Sequence, residues 1–450
     1  MAERGPVVVI GSGAAGSACA RGLASEGWDV TLIERGRWGG TCLWYGCVPK
    51  KSLYQSARVA REGRTAEQFG VKTGRVEIDW PGVLAWKWHA EETWAGDQKA
   101  LLAGAGIELL EGEAKFSSDS TVEVNGATIP FEYAVIATGA RSAVPNIPGA
   151  ELADTSDDAL GYADLPSSIA IIGGGFIAME FGAVFASVGV DVSVVTRGPR
   201  VLEMLDPDLS LVAERRLQSL GVTFRASSKL SAIRADSGRI TAILETSDGE
   251  EASVDAERIL LATGRTPNVE ELRIEAAGVA ADSRGRLVLD TAGRTTNPKV
   301  FAAGDAAGGE MHTPVANYEG AVIARVIGSG VSESADCSGV PITCFTEPQL
   351  ATVGLTEATA RENGYEPDVR RISFDAIAAG VIADVRDEFV KVVASKSDGR
   401  ILGVQIAAAN ASDLIYSGAL AIRAGMTLRQ LGETIAVHPS FSEALYYSGD

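Results

Sequence analysis

Histidine and cysteine are scarce in this chain, three and five among 450 residues. Few histidines leave few candidates for an acid or base that works near neutral pH. So little cysteine excludes a disulfide-stapled scaffold, and 450 residues, about three domains at roughly 150 each, bury several cores without staples. Positive charge is short as well. Forty basic residues stand against fifty-nine acidic ones, a formal charge of -19, so a nucleic-acid backbone, which rewards basic patches, is not the partner. The acidity speaks for solubility rather than for chemistry. Glycine is abundant by contrast, at 51 residues against an average of roughly 7%, in a chain that is 46% hydrophobic. That pairing excludes a disordered or collagen-like polymer and points to tight turns and backbone approached closely by a ligand.

Long apolar runs are few, and two of them imitate export or membrane signals. Arg4, Val7-Val8-Val9-Ile10 and Ala18-Cys19-Ala20 read like a short signal peptide, but Gly11, Gly13 and Gly16 break the run at the spacing of a nucleotide-binding turn. Ile169 to Val190 is long enough to span a bilayer and carries one charge, Glu180, yet it holds the same glycine pattern. A buried strand, turn and helix explain both. With five cysteines and no cleavable leader in this reading, a reducing, cytoplasmic setting is expected.

One unit occurs twice. Val7-Val8-Val9-Ile10-Gly11-Ser12-Gly13-Ala14-Ala15-Gly16 joins a β-branched run to a Gly-x-Gly-x-x-Gly turn and a helical pattern; a second strand then ends at Glu34, eighteen residues past Gly16. The glycines admit a pyrophosphate to a helix N-terminus, and the carboxylate accepts from a ribose 2′-hydroxyl. The second copy runs Ile169-Ala170-Ile171-Ile172-Gly173-Gly174-Gly175-Phe176-Ile177-Ala178, and the position of Glu34 falls on Thr196, followed by Arg197. A 2′-phosphate is repelled by a carboxylate and attracted by guanidinium groups, so Arg197 with Arg200 favours NADPH over NADH; plain solvated surface charge is the alternative. Each copy closes on a matching strand, ending in Thr138-Gly139 and in Thr263-Gly264. The segment Thr296 to Asp305 reads as one more strand returning to the first copy. Asp305 at its edge accepts from a polyol chain or, alternatively, caps a helix.

Gly39-Gly40-Thr41-Cys42-Leu43-Trp44-Tyr45-Gly46-Cys47-Val48-Pro49-Lys50-Lys51 is the most informative stretch. Two cysteines five apart lie about 7.5 Å apart along an ideal helix, beyond the usual disulfide span, so a bridge needs a distorted turn, which Gly46 permits. A loop so small constrains little of the unfolded chain, which suits a bond that is made and broken. A metal site and inert thiols are the alternatives; Cys19, Cys337 and Cys344 lack paired spacing, so no metal is expected, and they read as small buried hydrophobes. Reducing a disulfide needs a proton for the departing sulfur. His438, with Glu443 five residues on, is the acid/base candidate and its orienter. His89 reads as part of an aromatic helix face with Trp86, Trp88 and Trp94, and His312 is undecided.

Along nearly its whole length the sequence resembles the pyridine nucleotide-disulfide oxidoreductases, the class with dihydrolipoamide dehydrogenase, glutathione reductase and mercuric reductase. The resemblance rests on the Cys-x4-Cys segment, both fingerprints, Ala137-Thr138-Gly139, the Asp305 motif, Phe345-Thr346-Glu347-Pro348-Gln349 and His438 to Glu443. It implies an α/β chain of two Rossmann-like dinucleotide-binding domains, for FAD and NAD(P), plus a C-terminal α+β dimerisation domain. The boundaries expected are 1–150 and 271–339 for the FAD domain, 151–270 for the NAD(P) domain and 340–450 for the interface domain. It implies a homodimer whose partner chain supplies the histidine. Cys42 would be the thiol that attacks substrate, Cys47 the thiol facing the flavin, and Lys50 a neighbour of the flavin paired with Glu180. Cofactor contacts are implied at Arg35, Gly40, Thr41, Ala114, Gly304, Thr313 and Arg265 besides the fingerprint residues. The function expected is NAD(P)H-dependent reduction of a small disulfide, NADPH favoured; NAD-dependent dihydrolipoamide dehydrogenase is the alternative, and a mercuric-reductase-like enzyme or a non-catalytic flavoprotein is less favoured. Trp44-Tyr45 stands where relatives have Asn-Val and Phe176 where several have Tyr, and both departures are expected to bear on the pockets.

Overall fold

Two β-branched runs of the sequence become the same piece of structure. In the computed structural model, which describes residues 4–236, 239–331 and 333–449, β1 (Pro6–Ile10) leads into α1 (Ala14–Ser25) and β2 (Asp29–Glu34). Then follow α2 (Gly40–Trp44), α3 (Cys47–Thr65), α4 (Trp80–Gly104), β3 (Glu108–Glu111) and β4 (Tyr133–Ile136). The second copy comprises β5 (Ser168–Ile172), α5 (Phe176–Ser187), β6 (Asp191–Val195), α6 (Pro207–Ser219), β7 (Thr223–Arg225) and β8 (Arg258–Leu261). Pro6 faces Asp29 and Ile10 faces Ile33 in the first; Ser168 faces Asp191 and Ile172 faces Val195 in the second, so the offset between paired residues is the same.

Each copy forms a five-stranded parallel sheet. β9 (Val300–Ala302) lies beside β4 and completes the first, with α7 (Thr313–Ser329) after it, and Asp154–Thr155 completes the second. Each also carries a three-stranded antiparallel meander, spanning Ala114–Ser118, Thr121–Val124 and Ala127–Pro130 in the first and Ser228–Asp236, Arg239–Thr246 and Glu251–Ala256 in the second. Parallel strands are covered on both faces, hence the unbroken apolar runs. Val7 and Val9 pack with α1 and α7, while Val8 and Ile10 pack with Phe116, Val122 and Phe131 on the other side.

The run Ile169 to Val190 is β5, a turn and α5, which is buried nearly all round because it is apolar all round. No described helix is long and apolar enough to cross a membrane. The C-terminal part is an antiparallel sheet of β10 (Ile342–Cys344), β11 (Gln349–Gly354), β12 (Pro367–Ser373), β13 (Phe389–Ser395) and β14 (Ile401–Ala408), in the order β10-β11-β14-β13-β12. It packs against α8 (Ala411–Arg423), α9 (Leu428–Glu433) and α10 (Glu443–Tyr447). The chain divides into two compact units. One gathers the start of the chain as far as Ser52 with Leu84–Ala143 and Arg265–Cys337; the other gathers Leu53–Val83, Val144–Gly264 and the chain from Ser338 onward.

Candidate active site

The two glycine turns are shaped by what a side chain would strike. Gly11 has φ +104°, and a Cβ there would fall on the Ala137 carbonyl oxygen; Gly173 has φ +139°, and a Cβ there would fall on that of Ala262. α1 and α5 both begin after a glycine cap, Gly13 and Gly175, which has no side chain of its own to offer the first turn. A positive helix end and a glycine cradle fit the pyrophosphate of a dinucleotide such as FAD or NAD(P). Ala14, Ala15 and Gly16 form the first turn of α1, as Phe176 and Ile177 do for α5. Glu34 closes the first cradle: Oε2 accepts from the Ser12 N–H at 2.9 Å and the Ser12 hydroxyl at 2.7 Å, and Oε1 from the Gly36 N–H at 2.8 Å. Lone pairs remain for a ribose hydroxyl.

In the second cradle Thr196 is buried at the equivalent strand end, and a Cβ on Gly174 would come 2.5 Å from its hydroxyl. Arg197 stands exposed. Arg200 does not: its guanidinium donates to the Ser210 hydroxyl at 2.7 Å and to the carbonyls of Glu203 at 3.0 Å and Leu205 at 3.4 Å. It braces the loop before α6, which leaves Arg197 as the exposed arginine of the two.

The sulfur pair sits where one helix stops and another starts. Gly39 and Gly40 take left-handed backbone, at φ +103° and +66°. A Cβ on Gly40 would come 2.7 Å from the Gly13 Cα, so α2 starts directly against the first cradle. Cys42 lies in the middle of α2, which ends at Trp44; Cys47 opens α3. The distorted turn that the cysteine spacing demands is this break at Tyr45-Gly46. Both cysteines are thiols here, and their side chains lie within hydrogen-bond reach of each other. Cys47 Sγ also lies 3.2 Å from the Thr313 hydroxyl, at the first residue of α7. The hydrogen bond with Cys42, helped by Thr313, Lys51 and Lys50 against the cost of burial, pushes Cys47 down to about 6. The same bond holds the proton on Cys42, whose titration moves far up. One sulfur is therefore poised as thiolate and its neighbour as thiol.

Around the end of β9, the Gly304 N–H donates to Glu319 Oε2 at 2.7 Å. Asp305 lies inside the single turn Gly304–Ala307, whose cap is Ala303, so the helix-cap reading of Asp305 is wrong. Its carboxylate pairs with Arg265 Nε at 3.5 Å, and burial raises its pKa despite Arg265 and His312. Arg265 donates further to the Ala140 carbonyl. The Thr138 hydroxyl donates to the Asn268 carbonyl at 2.6 Å, beside Gly139 at φ +67°. Gly264 has φ +116°. Ala114 opens the first meander, buried, and Arg35 is exposed in an ion pair with Glu271 at 2.9 Å.

His438 and Glu443 meet. Nδ1 lies 2.8 Å from Glu443 Oε1, the Ser440 N–H donates to Oε2 at 2.9 Å, and the Tyr447 hydroxyl donates to Oε1 at 3.4 Å. His438 first, then the Ser440 N–H, hold the carboxylate below its usual range. The ring proton therefore stays on Nδ1, and Nε2 is left as the basic atom, on a side chain 69% exposed. Glu180, 2% exposed, accepts from the Phe345 N–H at 2.9 Å; Lys50 is buried on α3.

Trp44 is turned inward, 8% exposed with its indole N–H bonded to the Trp38 carbonyl, whereas Tyr45 is 44% exposed. One expectation changes. Cys19 and Cys344 are fully buried, but Cys337 is half-buried. His89 does pack on Trp86, with tilted rings 5.5 Å between centres, although the tryptophans of that face are exposed. The sequence reading missed the hold of Tyr447 on Glu443, which the i, i+4 spacing could have suggested. It also missed the Arg265–Asp305 pair, for which no sequence signal exists.

The sequence profile described as pyridine nucleotide-disulphide oxidoreductase matches residues 5–320, and that of its dimerisation domain matches residues 340–448. Dihydrolipoyl dehydrogenase of Haloferax volcanii is 36% identical, over 98% of this chain and 94% of the relative. Mercuric reductase of Lysinibacillus sphaericus is 34% identical, over 98% of this chain and 81% of the relative. Among solved structures, the HOCl-induced flavoprotein disulfide reductase RclA from Escherichia coli superposes with a TM-score of 0.87 at 28% identity, over 98% of both chains.

Proposed function

The chain belongs to the pyridine nucleotide-disulphide oxidoreductase family, and on that premise we propose that it is an FAD-dependent enzyme that reduces a small external disulfide with NAD(P)H, NADPH favoured. The observation that carries the reading is geometric: Cys42 in the middle of α2 and Cys47 at the head of α3 are brought side by side at the break between the two helices, with Thr313 against Cys47. The first cradle, from Gly11 to Gly16 with Glu34, would hold FAD, and the second, from Gly173 to Ile177 with Arg197, the nicotinamide nucleotide. FAD supplies the relay of an electron pair from nicotinamide to sulfur. Lys50, with Glu180 as its proposed partner, would offset negative charge near that relay.

The bridge between Cys42 and Cys47 takes up the electron pair and opens to a thiol and a thiolate. Cys42 then gives its proton to the histidine and attacks one sulfur of the substrate, RSSR. A Cys42–SR bond forms, the first RS⁻ leaves, and His438 of the partner subunit returns the proton to it. The Cys47 thiolate attacks Cys42, reforms the bridge and expels the second RS⁻, which takes a proton from solvent. One disulfide, two electrons and two protons give two thiols. Replacing Cys42 by Ser should leave flavin reduction by NADPH intact and abolish turnover. Persistent disulfide reduction in that variant would overturn the assignment.

A second reading, NAD-dependent dihydrolipoamide dehydrogenase, is favoured by the names of relatives at 36% and 37% identity. The two readings part on the nucleotide. Steady-state rates with NADH and NADPH side by side should favour NADPH through Arg197, and a strong NADH preference would decide for the dehydrogenase.

A further inference from the structure

α2 has five residues, too short to hold itself as an isolated helix, so its orientation must come from what grips its ends. The first end is gripped by the nucleotide turn: the Gly39 N–H donates to the Ser12 hydroxyl at 3.0 Å, and Gly40 rests on Gly13. At the other end, Leu43 is buried but gives only non-directional packing. Trp44 gives direction. Its indole N–H donates to the Trp38 carbonyl at 2.7 Å, and the Arg37 guanidinium lies over the ring, 3.2 Å from its centre. Arg37 is fixed in turn by Glu92 of α4 at 3.0 Å. Cys42 lies two residues from each grip.

We infer that Trp44, fastened between the Trp38 carbonyl and Arg37, is a positioning residue that holds Cys42 against Cys47. The inference rests on the proposed redox role of the pair and adds a residue that acts through α2 rather than on a sulfur. Closing a disulfide requires both Cα atoms within a narrow span. A gripped α2 presents Cys42 at high effective concentration, which favours the bridge over the dithiol; a loose α2 spends time with the sulfurs apart. Loosening it also weakens the hydrogen bond by which Cys42 keeps Cys47 ionised.

The test uses the FAD-loaded protein equilibrated in glutathione buffers of fixed ratio, with the bridge counted by alkylation and intact mass. Trp44→Val removes bond and ring; Trp44→Phe keeps the ring under Arg37; Arg37→Gln removes the covering cation from the surface. The bridge equilibrium should fall about tenfold in Trp44→Val, a shift of about 30 mV toward easier reduction, and about threefold in the other two, one hydrogen bond or one cation–π contact each. In all three, the pH midpoint for alkylation of Cys47 should rise. Should Trp44→Val lose its flavin, Trp44→Phe and Arg37→Gln decide. Equilibria within about twofold of the parent with unmoved midpoints overturn the positioning role. A parent protein that never forms the bridge would instead sink the proposed function.

Discussion

Cys47 is acidified by neighbours more than by long-range charge. Hydrogen bonds with Cys42 and Thr313 lower its pKa, while Lys51 and Lys50 act through space. Its depressed titration, near 6, makes it a thiolate above that pH and a thiol below. In the reduced enzyme, alkylation of Cys47 followed by peptide mapping should therefore show a midpoint near 6. Thr313→Val removes a hydroxyl whose hydrogen bond is stronger to the anion than to the thiol, so the midpoint should rise, by roughly one unit for one hydrogen bond to a charged group. A parent midpoint in the ordinary thiol range would refute the arrangement. The cysteines and His438 with Glu443 were legible because rare residue types at short spacing limit what they do. Thr313 and Arg37 were not legible as neighbours of the sulfur segment, because a common residue brought in by the fold, or a surface arginine among many, carries no mark of its partner.

At the scale of elements, the repeat was readable because a β-branched run, three glycines and a second strand recur with one spacing, and the structure gives both copies one pairing offset. What held α1 in place was not readable. α7 lies against it so closely that a Cβ on Gly320 would fall on the Ala15 carbonyl oxygen, and one on Gly22 would come 2.7 Å from the Ala324 Cβ. Backbone cannot yield there as a flexible side chain would. Gly320→Ala should therefore push α1 off its seat and destabilise the fold by about 1–3 kcal/mol, the usual result of overpacking. Since α1 presents the amides of the first cradle, FAD should be released more readily as well. Thermal unfolding and flavin retention on gel filtration read the two effects, and an unshifted midpoint with full flavin would contradict the close packing.

At the scale of the whole molecule, the sequence separates what chemistry joins. Cys42 and His438 lie almost four hundred positions apart, and neither composition nor periodicity says whether one chain or two bring them together. The match of residues 340–448 to a dimerisation domain favours two. If His438 of the partner subunit serves each sulfur pair, an inactive Cys42→Ser chain and an inactive His438→Gln chain complement each other. Co-expressed and randomly paired, half the dimers are mixed, and each mixed dimer holds one site with both groups intact. Activity should then return to about a quarter of the parent value, a consequence of twofold symmetry alone. Were the histidine to act within its own chain, every site in every dimer would lack one group, and no activity would return. Purification through a different tag on each chain isolates the mixed dimer, whose rate should be about half that of the parent.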